Sequence, residues 1–306
     1  MGWTAALVLI ALGGAGLATA ADRPQTPQQR PELYWHADHV ALPWLTQLAT
    51  QLLNVDAEVG ALTEQGAQAL AAVQALDASG LAESVAEGDG VAARVEPIAA
   101  ATSSVWSDAI QAIDGLRVSP TTNAAIEAMY DAVSTSQYVD EAWTGLALDA
   151  RGIGRLIDAL QRHDGLVFRA TTAADQQDWS GALDLVAQAT DALTHTHDMR
   201  TQLAEAKIDT SLLDDLVNRY AAYDEALRAL YAFRAEGGAG EGDDYEQLRA
   251  AVDAARGELP TDSADVGTAV SAAGAPVITN SLFRLEEARG MIRTAVEAAQ
   301  ALAMQP

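Results

Sequence analysis

The chain has 306 residues, with 18 Lys and Arg against 43 Asp and Glu, a formal charge of −25, and no Cys. Such a surface repels phosphate, which excludes nucleic acid as a partner. The lack of thiols excludes a disulfide-stapled miniprotein, a Cys-ligated zinc site, an iron–sulfur cluster and a Cys-linked lipid anchor.

In chain order, the first feature is an uncharged run from Ala5 to Ala21, ended by Asp22 and Arg23. Residues 1–21 read as a signal peptide or a membrane anchor. Seventeen residues is near the lower limit for a spanning helix, and Ala18-Thr19-Ala20 offers a small-residue cleavage site. No Lys or Arg precedes the run, which is unusual for either role. Both readings place the remainder outside the cytoplasm, secreted or held by residues 5–21, with the membrane engaged only through that segment. Residues 22–31 are rich in Pro and Gln and predict an extended linker. Residues 277–303 are apolar in part, but charges from Arg284 to Glu297 argue against a second span.

Residues 32–306 predict an all-α fold, an antiparallel bundle of long helices. The signal is apolar spacing in alternating steps of three and four. The first seam runs Leu45, Leu48, Leu52, Val55, Val59, Leu62, Gly66, Ala69, Val73 and Leu76. A looser one follows from Val91 through Val95, Ile98, Thr102, Val105 and Ala109 to Leu116. Others run from Trp143 to Leu160, from Ala182 to Ala206 and from Leu213 to Leu230, and the last carries Ile278, Leu285, Ile292 and Ala299. Sustained two-residue alternation is missing, so no strand is predicted. Breaks are expected at Ser79-Gly80, at 87–90, at Val118-Ser119-Pro120, at Asp164-Gly165, across 237–243, at Leu259-Pro260 and at 274–276. Ser211 with Asp214 predicts a helix start. Pro120-Thr121 and Pro260-Thr261 restart helices in each half, which suggests two stacked sub-bundles, 32–165 and 166–306.

Candidate chemistry is sparse. Glu32, His36 and His39 share one face of a helix that starts near Pro31, and two imidazoles with a carboxylate suit a divalent transition metal. His195 and His197 are two apart and diverge by about 200° on a helix, so they do not share an ion. The Gly-rich acidic loop from Glu236 to Asp244 lacks the ligand order of a calcium loop and reads as a solvated connector. Gly152 and Gly154 follow no strand, which excludes a dinucleotide fingerprint and points instead to close helix approach. Tyr220 and Tyr223 in a seam imply a wider interior with hydroxyls needing partners. No hydrolase or phosphate-loop motif is present. The sequence therefore predicts a binding or scaffolding bundle of the cell envelope that works without catalysis or cofactor, through a protein or small-ligand partner. The alternative is a metal-carrying bundle using Glu32, His36 and His39.

Overall fold

A computed structural model describes residues 34–304 except residue 206. The leader, the linker and Glu32 lie outside the described residues. Nine α-helices and no strand occur among the described residues. They are α1 (Trp35–Gln74), α2 (Ala78–Ile113), α3 (Pro120–Ser136), α4 (Val139–Asp175), α5 (Trp179–Thr194), α6 (Thr196–Glu205), α7 (Ser211–Ala235), α8 (Asp243–Gly257) and α9 (Ser263–Ala303).

Cross-helix bonds fix the directions. Glu58 pairs with Arg94 at 2.9 Å and Gln65 donates to Glu87 at 2.9 Å, so α1 and α2 run antiparallel. Asp56 accepts from Arg293 at 2.9 Å and Gly66 lies against Leu282, so α9 runs antiparallel to α1. Thr135 lies 3.3 Å from Met291, and Gly274 meets Ile153. α3 and α4 are therefore successive pieces of one column that passes α9 in a single register. α1 packs on α2 and α9, and the α3–α4 column packs on the same two helices. Neighbours are antiparallel and diagonal partners are parallel, as in a four-helix bundle. The interior is aliphatic, and Leu48, Leu52, Val55, Val59 and Leu62 are wholly buried.

Several prolines and glycines sit inside helices, including those at the expected breaks 87–90, 164–165 and 274–276. Pro43, Pro97 and Pro276 lie within α1, α2 and α9. Each forfeits a backbone bond, at a cost of about 3 kcal/mol. Packed neighbours on both sides, such as Ala273 and Ile278 around Pro276, hold the helix through the defect. The predicted break at 87–90 is absent because Gly88 is a packing site. A Cβ there would lie 1.8 Å from the Trp143 ring, so only glycine admits the indole. Gly152 likewise leaves room for the Met199 methyl of α6. α4 also runs through Asp164 and Gly165 without interruption.

Ser79-Gly80 begins a helix rather than ending one. α1 closes at Leu76, a non-glycine in the left-handed region (φ 53°), and Asp77 caps α2 by accepting from Gly80 N at 2.9 Å. Gln177 (φ 63°) and Asp178 repeat the device between α4 and α5, with Asp178 accepting from Gly181 N at 3.0 Å. A side chain at Gly80 or Gly181 would strike the capping carboxylate, which explains the shared Asp-x-Ser-Gly sequence. The same cue marks α9, where Asp262 accepts from Ala264 N and Asp265 N. α7 starts one residue off the expected cap: Thr210 precedes it, and Asp214 accepts from the Thr210 hydroxyl at 2.9 Å.

The buried apolar side chains group into two cores. α9 belongs to the first core with α1–α4, and so does the start of α7 through Leu213, Leu216 and Tyr220. A smaller second core joins the end of α4 to α5 and α7 through Ala170, Ala174, Ala182, Val186, Tyr223, Leu227 and Tyr231. α8 lies on α7 with no fully buried residue. By length and composition, α9 from Ala264 to Ala303 could cross a membrane. Ahead of Arg284 its only charge is Asp265. Here its apolar side, with Val270, Ala273 and Ile278, fills the bundle core.

Candidate functional site

The two cores meet along α4, and there the interior stops being aliphatic. Buried hydroxyls elsewhere bond to their own helix backbone, such as Thr102 to Ile98 O at 2.8 Å. His163 and Asp224 differ. Each is 1% exposed, and they pair across α4 and α7 with Nε2 to Oδ1 at 3.0 Å. The other ring nitrogen, Nδ1, lies 3.2 Å from Asp164 Oδ1. An ionised carboxylate only accepts, so one at each nitrogen favours the imidazole that carries both protons. Burial pushes His163 down, but the hydrogen bonds and charges of Asp164 and Asp224 outweigh it and hold the imidazolium up at about 9.

The surrounding groups complete the network. Thr190 Oγ1 lies 3.1 Å from the second Asp224 oxygen, and Arg228 donates to that hydroxyl at 2.8 Å. The Tyr220 ring lies 4.7 Å from the imidazole. Burial first, and then the Asp164 charge, pushes the Tyr220 hydroxyl well above its ordinary range. Burial also raises Tyr223, and carries Tyr231 up to about 12. With both nitrogens facing carboxylates, a protonated His163 has no lone pair to offer as a base.

Asp164 and Tyr220 open onto a cleft of about 1010 Å³. The end of α1 forms one lip with Gln74 and Leu76, and Ile157, Leu160 and Gln161 of α4 line the floor. The start of α9 forms the far wall with Val266 and Ser271. Gln161 Nε2 donates to Leu76 O at 2.9 Å and so braces the lip. A second cavity of about 430 Å³ lies between α4 and α5–α6, near Arg155, Arg162 and His195.

The residues singled out in the sequence lie elsewhere. His36 and His39 are both exposed on the first turns of α1, and His39 stacks on Trp35 at 4.4 Å. No group of three His, Asp or Glu side chains arranged to hold a metal occurs among the described residues. His195 is exposed and lies 3.8 Å from Asp191, one turn away on α5. The 237–243 loop joins α7 to α8, and Arg234 anchors it by donating to Gly238 O at 3.0 Å while its guanidinium covers Trp179 and Tyr245. His163 escaped the sequence reading. The α4 seam continues three residues past Leu160 to reach it, and that continuation was the available signal.

The chain is thus an all-α antiparallel helical bundle with a charged pair buried where its two cores join. No family model matches it, and no curated protein does. Among solved structures it is similar to one described as "Co-LOCKR: de novo designed protein switch", at 16% identity, covering 87% of this chain and 97% of that one, with a TM-score of 0.30.

Proposed function

We propose that the chain is an exported or membrane-tethered helical-bundle protein of the cell envelope that acts by binding, without catalysis, and takes a small ligand between its helices. The observation that carries this reading is the cleft of about 1010 Å³ at the junction of the cores. Its size suits a small molecule, and its lining mixes aliphatic side chains such as Leu76 and Val266 with polar ones such as Gln74, Asp164 and Ser271. The uncharged run from Ala5 to Ala21 supports export, and a chain without Cys suits an oxidising compartment. A thermal-shift screen of the purified chain with chemically diverse small molecules tests it. Hits on the parent chain should vanish when Val266→Trp fills the cleft, and an equal response from both proteins would refute the site. Fractionation of cells expressing the full chain tests the location.

A second reading keeps a divalent transition metal on Glu32, His36 and His39. The exposure of both imidazoles one turn apart on α1 favours it. Zinc or copper titration of the full chain against His36→Ala decides it, and equal binding by both proteins would end it.

A further inference from the structure

The cleft's own groups narrow the ligand, on the assumption that the cleft is the binding site. His163 carries one positive charge between two carboxylates, Asp164 and Asp224. Arg228, exposed itself, reaches Asp224 through the Thr190 hydroxyl, so the buried carboxylate has two cationic neighbours and Asp164 has His163 alone. Asp224 is 1% exposed, whereas the Asp164 side chain is 57% exposed and stands in the cleft lining. Any molecule in the cleft meets the Asp164 carboxylate.

The other charges nearby are committed. Asp262, also in the lining, spends its carboxylate on the first backbone N–H groups of α9. Arg219, at the adjoining groove, is paired with Asp215 and donates to Glu258 O. No Lys or Arg lines the cleft itself. The end of α1 presents the negative end of its helix dipole beside Gln74, and the start of α9 presents a positive end that the Asp262 carboxylate caps. Beside the carboxylate, the partly exposed Leu76 and Val266 offer a hydrocarbon wall over the buried Ile157 and Leu160.

We propose that the cleft binds an organic cation, a substituted ammonium group attached to a short hydrocarbon body, with the ammonium against Asp164 and the hydrocarbon along Leu76 and Val266. His163 and Asp224 act as positioning residues that hold Asp164 in place.

The test is calorimetric titration of the full chain with three probes that share one hydrocarbon tail: hexyltrimethylammonium, hexyl glucoside and hexyl sulfate. The expected result is one ammonium bound per chain, about tenfold more tightly than the glucoside, since a charge-assisted contact contributes about that factor. The sulfate should not bind. Asp164→Asn should bring the ammonium to the level of the glucoside, and Val266→Trp should abolish both. Glu287→Gln, on the exposed side of α9, should leave the affinity unchanged, which separates this site from diffuse attraction to an acidic surface. Equal binding of ammonium and glucoside that Val266→Trp abolishes would overturn the cation assignment and leave the cleft as a neutral site. Ammonium binding reduced equally by Glu287→Gln and Asp164→Asn would overturn it as surface attraction. Binding of none of the three probes would overturn the assignment too, while hits in the broader screen that Val266→Trp removes would leave the cleft reading standing.

Discussion

Leu48, Leu52, Val55, Val59 and Leu62 line one interior, while Ala170, Ala174, Ala182 and the rings of Tyr223 and Tyr231 line the other. The first is closed by long helices in uninterrupted register, and small residues such as Gly88 let large neighbours approach. The second is short, its α8 side buries no whole residue, and its tyrosines bring hydroxyls that resist ionisation. Aliphatic ridges fit one another wherever helices run side by side. Where α4 leaves the first core and enters the second, its neighbours change, and a charged pair occupies the gap. The long bundle sets the shape, and the junction supplies the chemistry.

The comparison predicts a hierarchy of effects. Trp143→Ala should cost most, about 4 kcal/mol, because the ring is 1% exposed and the glycine opposite has no side chain to fill the space. Urea unfolding measures it, and a loss below about 1 kcal/mol would show that the first core is loosely packed. Asp224→Ala should come next, at about 3 kcal/mol, because it strands a buried imidazolium. Pairing His163→Leu with Asp224→Leu removes both charges and should recover most of that loss. If the double variant is as unstable as the single one, the pair contributes packing rather than charge.

The same pair makes stability depend on pH. His163 is raised in the fold from its ordinary 6.5 to about 9. Its contribution is therefore complete below pH 6.5 and lost as pH rises through 9. The melting temperature should fall across that window, and His163→Leu should flatten the profile there. Tyr220, Tyr223 and Tyr231 are raised above 10, so their contribution persists to higher pH and is lost only beyond it, as a separate second fall. A smaller effect is expected at Asp262, where Ala should cost about 1 kcal/mol by uncapping α9. The smallest is Arg94→Ala, a few tenths of about 1 kcal/mol, because its pair with Glu58 is largely solvated.

Much of the first core was legible in the sequence. Leu45, Leu48, Leu52, Val55, Val59, Leu62, Gly66, Ala69 and Val73 were placed in one seam by spacing, and all nine are buried. The α4 seam from Trp143 to Leu160 is buried in the same way. Helix ends were less legible, because they depend on partners distant in sequence. Gly88 resembles a breaker until Trp143, 55 residues later, is seen to need its space. Leu76 and Gln177 end helices in a conformation usually left to glycine, so the usual cue was missing there. The seam from Ala182 to Ala206 reads as one helix, but the chain pauses at His195 between α5 and α6. The site was least legible of all. His163 and Asp224 are 61 residues apart, and neither belongs to a short motif. Only the packing of α7 on α4 brings them together, although Tyr220 and Tyr223 already pointed to that interior.

The most direct test of the account is nitrogen-15 NMR of the imidazoles, with His163 assigned by comparison with His163→Leu. Both ring nitrogens of His163 should remain protonated at pH 7.5, and the ring should titrate near 9. A neutral tautomer at pH 7.5, with titration at or below 6.5, would contradict a junction built around a buried charge.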